Sequence, residues 1–154
     1  MFGGWFVTGA ALTVIANVGS ETELEDALAL RRRVFCEEQG VGERQEFSDQ
    51  DSEALHLVAL AADEQVLGTC RLLFTGDTAH LGRLAVERAA RRQGIASALL
   101  VEAEREALEA GARRITLNAQ TQALALYSAA GYSELGPRFF EVGIEHVRME
   151  KVLA

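Results

Sequence analysis

The stretch Ala90-Arg91-Arg92-Gln93-Gly94-Ile95-Ala96-Ser97-Ala98-Leu99-Leu100 (ARRQGIASALL) joins an apolar run, HLGRLAV at 80–86, to a segment with helical spacing. From Gly94 onward Ile95, Leu99, Ala103 and Ala107 recur every four residues, while Glu102, Glu104, Arg105, Glu106 and Glu109 are polar. This pattern predicts an amphipathic helix entered directly from a strand. A helix start presents unpaired backbone N–H groups and the positive end of the macrodipole, which suits an anion. Gly94 admits a ligand where a Cβ would collide, and Arg91 and Arg92 add positive charge. Each hydrogen bond to a charged oxygen contributes roughly 1.5–3 kcal/mol. Three or four of them hold a pyrophosphate with micromolar-class strength. The turn has no G-x-x-x-x-G-K-[ST], and no G-x-G-x-x-G follows a strand, so NTP hydrolysis and dinucleotide redox chemistry are disfavoured.

Upstream, Leu55–Ala61, Val66–Phe74 and Ala79–Val86 read as strands, the first two joined by a hairpin-length link at 62–65. Residues 36–54, CEEQGVGERQEFSDQDSEA, read as an acidic loop with at most a short helix. Before it, Ser20-Glu21-Thr22-Glu23 has the S-x-x-E pattern that caps a helix start, here spanning about Glu21–Phe35, and Leu12–Val18 reads as a strand. Downstream come a short strand at Arg114–Leu117, a helix at Thr121–Ala130, and strands at Tyr132–Leu135 and Ile144–Leu153. On the last strand Val147 and Met149 share one face and His146 and Arg148 the other. The order is β-α-loop-β-β-β-α-β-α-β-β, an α/β (α+β) arrangement with helices on a mixed sheet.

The 154 residues, 49% hydrophobic with no repeat or linker, predict one domain, taken as 13–154 after an N-terminal extension at 1–12. A net charge of −8 argues against nucleic-acid binding. The start, MFGGWFVTGAALTVIANVGS, lacks a basic leader and is interrupted by glycines, so neither a cleaved leader nor a membrane span is expected. Cys36 and Cys70 stand apart without a C-x-x-C, so the expectation is two reduced thiols, no metal and a cytoplasmic location.

The segment Arg91-x-x-Gly94-x-Ala96, after the strand GRLAV and before a helix, resembles the Q/R-x-x-G-x-G/A signature of the GNAT superfamily of N-acetyltransferases. LYSAAGY (126–132) resembles that superfamily's F-Y-x-x-x-G-F segment, and VFCEEQG (34–40) resembles the V-F-x-x-E-Q-G of a small bacterial branch. The resemblance implies the acyl-CoA N-acyltransferase fold, with a mixed, mostly antiparallel sheet of about six or seven strands flanked by about four helices. It also implies acetyl-CoA as cosubstrate, bound where two strands splay at a bulge. Carried over by position, Leu84, Ala85 and Val86 lie along the pantetheine arm, with Leu84 and Val86 bonding it through the backbone. Arg91, Arg92, Gln93, Gly94, Ile95 and Ala96 wrap the pyrophosphate. Gln120 stands where many relatives have an asparagine that contacts the cofactor, and Ala96 replaces the more frequent glycine.

Acetyl transfer to an amine needs a neutral nucleophile, a stabilised oxyanion and a proton for the departing thiolate. Tyr127 matches the superfamily tyrosine aimed at the thioester sulfur and is the expected general acid; with a reference pKa of about 10 it holds its proton at neutral pH. The backbone N–H of Leu84 is the expected oxyanion donor. An amine is almost wholly protonated at pH 7, so a base is expected to assist. Glu38, His146 and His56 are the candidates, with His56 read as a core residue. Arg71 and Arg83, within strands, bind an acidic substrate group or pair with Asp49, Asp51 or Glu53.

The leading expectation is an acetyl-CoA-dependent N-acetyltransferase acting directly on a small-molecule or peptide amine, with no metal, nucleic-acid or membrane partner, and with a homodimer left open. Two alternatives stay open: an acyltransferase like the acyl-homoserine-lactone synthases, and a non-catalytic acyl-CoA-binding sensor.

Overall fold

The computed structural model describes residues 4–8 and 11–153. Eight strands form one sheet: β1 (Gly4–Thr8), β2 (Ala11–Asn17), β3 (Leu55–Leu60), β4 (Val66–Thr75), β5 (Thr78–Val86), β6 (Arg114–Gln120), β7 (Ser133–Glu141) and β8 (Ile144–Val152). Their order across the sheet is β1-β2-β3-β4-β5-β6-β8-β7. Every pairing is antiparallel except β5 with β6. The sheet has one strand more than the six or seven expected. The added strand is Gly4–Thr8, inside the segment read as an extension, and it pairs with β2 from Gly4↔Ile15 to Thr8↔Ala11.

Helix α1 (Glu21–Arg31) starts as the S-x-x-E pattern dictates. Ser20 Oγ accepts from the Glu23 amide at 3.1 Å, and Glu23 Oε1 accepts from the Gly19 amide at 2.9 Å. The helix does not stop near Phe35. It widens into a π-helix over Arg32–Glu38, so the first part of the expected loop is helical. A wide turn in a helix is often found at functional sites. Beyond it, α2 (Glu43–Glu46) and a single 3₁₀ turn at Asp49–Ser52 give the acidic segment its only regular structure.

The remaining helices are α3 (Ile95–Glu109) and α4 (Leu124–Ala129). Alternation along the strands divides the core between two faces. Leu57 and Ala59 point to the α3 side with Leu99, Leu100 and Ala103, while Val58 points to the α1 side with Ala27, Leu30 and Val34. Helix α3 sits close to β4 because residue 68 is glycine. A Cβ there would lie 2.9 Å from Ile95 Cγ2 and 3.0 Å from Leu99 Cδ1, too near for carbon atoms. No helix among the described residues is long and apolar enough to cross a membrane.

The local irregularity that shapes the site lies in β5. Thr69 pairs with Ala85 and Arg71 with Gly82, so two residues, Arg83 and Leu84, stand opposite Cys70 alone. This is a β-bulge, and it reverses the side-chain alternation: Leu81 joins the α3-side core, yet Ala85, four residues on, joins the α1-side core. Arg83 adopts φ +56°, a left-handed conformation costing ~1–3 kcal/mol for a residue with a side chain. Its guanidinium holds it there, donating to the carbonyls of Glu46 at 3.1 Å and Gln45 at 3.3 Å.

Candidate active site

Parallel pairing between β5 and β6 runs only from Thr78↔Arg114 to Leu81↔Leu117. Beyond the bulge the strands part, and a cavity of about 760 Å³ opens between them. Its walls come from the π-helix (Val34, Phe35, Glu38), from β5 (Gly82 to Val86), from the β6 end (Asn118, Gln120) and from α4 (Leu126, Tyr127). The hydrogen bond from Glu87 N–H to Leu67 O, 2.8 Å, fixes which edge of β5 each peptide uses. Since successive peptides alternate, Ala85 faces β4 while Leu84 and Val86 face the open side. Val86 O is not free there, because it accepts from Arg91 Nε at 3.0 Å.

The turn into α3 is the second wall. Gly94 is its N-cap at φ +87°, ψ +7°, with no side chain capping the helix and no acidic residue in its first turn. None of the backbone amides from Arg92 to Ser97 finds an acceptor among the described residues. Six consecutive free donors at the positive end of a fifteen-residue helix form an anion cradle, and space around a Cβ at Gly94 is open. Arg92 also takes a left-handed conformation, φ +63°.

A strand pair splayed at a bulge, beside a cradle of free amides, is what an acyl-CoA N-acyltransferase requires, and residues 21–153 match the model of the acetyltransferase (GNAT) domain family. The chain belongs to that family. It is 34% identical over 142 residues to the uncharacterised protein YyaT of Bacillus subtilis, covering 91% of this chain and 96% of YyaT. It is 32% identical to the uncharacterised N-acetyltransferase YjcF of the same organism, covering 86% and 94% of the two chains. Among solved structures, an acyl-CoA N-acyltransferase from Pseudomonas aeruginosa is 26% identical with a TM-score of 0.74, covering 91% of this chain and 99% of that one. An aminoglycoside 6'-N-acetyltransferase complexed with coenzyme A is 15% identical, covers 91% of this chain and 97% of its own, and shares the fold at a TM-score of 0.71. The GNAT chain described here is thus an acyltransferase.

Tyr127, on α4, lines this cleft and is buried, its ring set edge-on to Tyr132 at 6.1 Å. Its hydroxyl has no hydrogen-bond partner among the described residues, and burial, followed by the nearby Cys70, raises its pKa well above that of a free phenol. Tyr132, by contrast, donates to Glu104 at 3.2 Å on the far side. Cys70 is fully buried, and desolvation pushes its thiol up to about 12. His146 lines the cleft opposite Gln120 and stacks on Phe139 at 5.9 Å. Its Nδ1 lies 2.7 Å from Ile144 O, and a carbonyl only accepts. In the neutral ring the proton therefore sits on Nδ1, which leaves the lone pair on Nε2.

Glu38 also lines the cleft, but not as a free carboxylate. Both oxygens accept from Arg91 Nη2, at 3.1 and 2.9 Å, and Arg88 lies at 3.7 Å. The partner of Glu38 is thus an arginine of the anion turn rather than an amine, and the charge of Arg91 is already matched. Gln120 is held by Gln39, whose Oε1 accepts from Gln120 Nε2 at 2.9 Å, and by Gln122 at 2.7 Å. His56 lies outside the cleft and bonds the Asp51 carbonyl at 2.8 Å, a structural role.

Sequence reasoning left the partners of Arg71 and Arg83 open. Arg71 pairs with Asp51 at 2.7 Å, while Arg83 pairs with Glu46, which was read only as part of an acidic loop. Glu46 is buried, and desolvation raises its pKa despite Arg31 and Arg83. Burial also works against ionisation of Asp51, but hydrogen bonds from Arg31 and Arg71 prevail and hold it down to about 2. Gln39, which lies in the V-F-x-x-E-Q-G segment but was given no role, and Gly82 and His80, which no motif marked, are further cleft residues.

Proposed function

We propose that this chain is an acetyl-CoA-dependent N-acetyltransferase that passes the acetyl group directly to a primary amine. The observation that carries this reading is the run of unpaired amides from Arg92 to Ser97 beside the splayed edge of β5. Its geometry suits a pyrophosphate, and a protein of the same fold was solved with coenzyme A. Acetyl-CoA, when bound, supplies an activated acetyl thioester. Leu84, Ala85 and Val86 would hold the pantetheine arm, with the Leu84 N–H available to the thioester oxygen. Arg91 to Ala96 would hold the pyrophosphate.

Tyr127 gives its proton to the departing thiolate. A thiol of pKa about 8.5 is a stronger acid than a buried phenol, so the transfer is uphill even to the fully formed thiolate; it is drawn to completion as the phenolate regains a proton from solvent, leaving coenzyme A as the thiol. His146 Nε2 takes a proton from the amine, directly or through one water, which generates the neutral nucleophile. Glu38 acts on affinity through Arg91 rather than on proton transfer. The residues described suit a reaction in one ternary complex, because neither Cys36 nor the fully buried, high-pKa Cys70 offers an accessible thiolate for a covalent route.

The test is calorimetric binding of acetyl-CoA followed by thiol release in the presence of amino sugars, polyamines, amino acids and peptides. Tight binding with amine-dependent release is expected. Clear binding with no release for any amine would leave a sensor in place of an enzyme, and absence of binding would remove the cofactor assignment.

A further inference from the structure

The end of the cleft beyond the bulge holds charges that acetyl transfer does not use. Five side chains alternate in a row. Arg71 meets Asp51 at 2.7 Å, Asp51 meets Arg31 at 2.8 Å, Arg31 meets Glu46 at 2.8 Å, and Glu46 meets Arg83 at 3.0 Å. Three guanidinium groups against two carboxylates leave an excess of one positive charge even with both acids ionised. The row begins and ends in arginine. Both ends, Arg71 and Arg83, line the cavity, and the central Arg31 does not.

The two ends differ in how they are satisfied. Arg83 donates through Nε and Nη2 to the segment carrying Glu46. Arg71 is 7% exposed and donates only through Nη1, to Asp51, while its buried Nε has no partner. Buried guanidinium protons are nearly always matched, so an orphan in a cavity wall points to a missing acceptor. The Nε and Nη2 protons lie along one edge of the guanidinium and project in parallel, the geometry that takes a carboxylate in two hydrogen bonds. Gly82, also on the wall, places no side chain against that edge; a Cβ there would sit 3.8 Å from Arg71 Nε.

We propose that the Nε edge of Arg71 is a carboxylate subsite, so that the acceptor of this enzyme is an amine that itself carries a carboxylate. The proposal rests on the acyl-transfer reading for the amine and on the unmatched edge for the acid. A single excess charge favours a monoanion over a phosphate dianion. Gly82 and Leu84 are two residues apart on one strand, at most about 7 Å for extended chain and less across the bulge. A small molecule therefore bridges the subsite and the reacting carbonyl.

Glycine, β-alanine and γ-aminobutyrate, each beside its carboxamide, and phosphoethanolamine form the probe set. In ¹⁵N-labelled protein the Arg71 Nε–H resonance is assigned by its loss in Arg71→Lys. At least one acid is expected to shift it while the matching amide leaves it in place. A shift by both members of every pair, a shift by none, or a stronger response to phosphoethanolamine overturns the proposal. In turnover with acetyl-CoA, kcat/KM for the best acid should exceed that of its amide by about 10-fold or more, the value of one charged hydrogen bond; equal values overturn the proposal. Arg71→Lys and Gly82→Ala should raise the acid's KM with little effect on acetyl-CoA affinity. Gly82→Ala leaves the charged row intact, so it separates a lost subsite from a lost fold. An acid-specific shift without acetylation of any amine would sink the transfer reading and keep the subsite. Acetylation of amides as readily as acids would do the reverse.

Discussion

Because burial and the neighbouring Cys70 hold the Tyr127 phenol above its ordinary ionisation range, its proton stays in place at any pH at which the protein works. Tyr127→Phe should therefore lower kcat by about 100-fold or more, the usual contribution of general acid catalysis, while acetyl-CoA affinity measured by calorimetry stays close to that of the parent. Glu38 separates two roles in one substitution. Glu38→Gln releases Arg91 from its ion pair, so tighter acetyl-CoA binding is expected in a titration at low salt; a fall in kcat of about 100-fold would instead make Glu38 the base. Asp51 carries a pH signature. Its folded value of about 2 lies below the ordinary 3.8, so the stabilisation it contributes is complete above that ordinary value and is lost as pH falls toward 2. Asp51→Asn should cost ~3 kcal/mol in urea unfolding at neutral pH, as breaking a buried pair does, and should flatten the acid limb of the stability profile.

At the scale of elements, the entry to α3 was legible because everything it needs is local. A strand, two arginines, a glycine and a four-residue apolar repeat lie within 80–107, and the structure places them as strand, turn and helix. The cap of α1 was legible for the same reason. The charged row was not, because its members stand 15 to 37 residues apart and meet only through the bulge and the fold of the acidic segment. Nor does any three- or four-residue period mark Glu46 as buried, since it lies in a four-residue helix. The π-helix escaped notice because its residues carry ordinary helical propensity. Its docking, which buries Val34 and Phe35 against the sheet, joins residues distant in sequence and leaves no local period to read. Gly94→Asp tests the cradle as an element. The left-handed backbone strains the new residue, whereas its carboxylate compensates at the helix start, so Tm should shift little. Acetyl-CoA affinity should fall by about 10-fold or more through charge repulsion alone, a loss calorimetry would read directly.

Taken as a whole, the sheet is two antiparallel blocks, β1 to β5 and β6-β8-β7, sewn together by the four residue pairs of a short parallel seam. The other pairings between neighbouring strands are antiparallel, so the seam is the one parallel joint among the described strands, and its end borders the cleft. Backbone amides that face this gap have no ladder partner, and on the proposed function the amide groups of a pantetheine arm would satisfy them. Occupancy would then complete the sheet as well as the reaction centre. Hydrogen exchange should show β6, β8 and β7 opening ahead of β3 to β5 in the free protein, and acetyl-CoA should slow exchange at Leu84 and across Leu117–Gln120 so that both blocks open together. Unchanged exchange across the gap on saturation would refute it. On the proposed function the substrate would be a structural member of the molecule for as long as it stays: catalysis and cohesion would draw on the same missing hydrogen bonds, and release of coenzyme A would leave the gap between the two blocks unbridged.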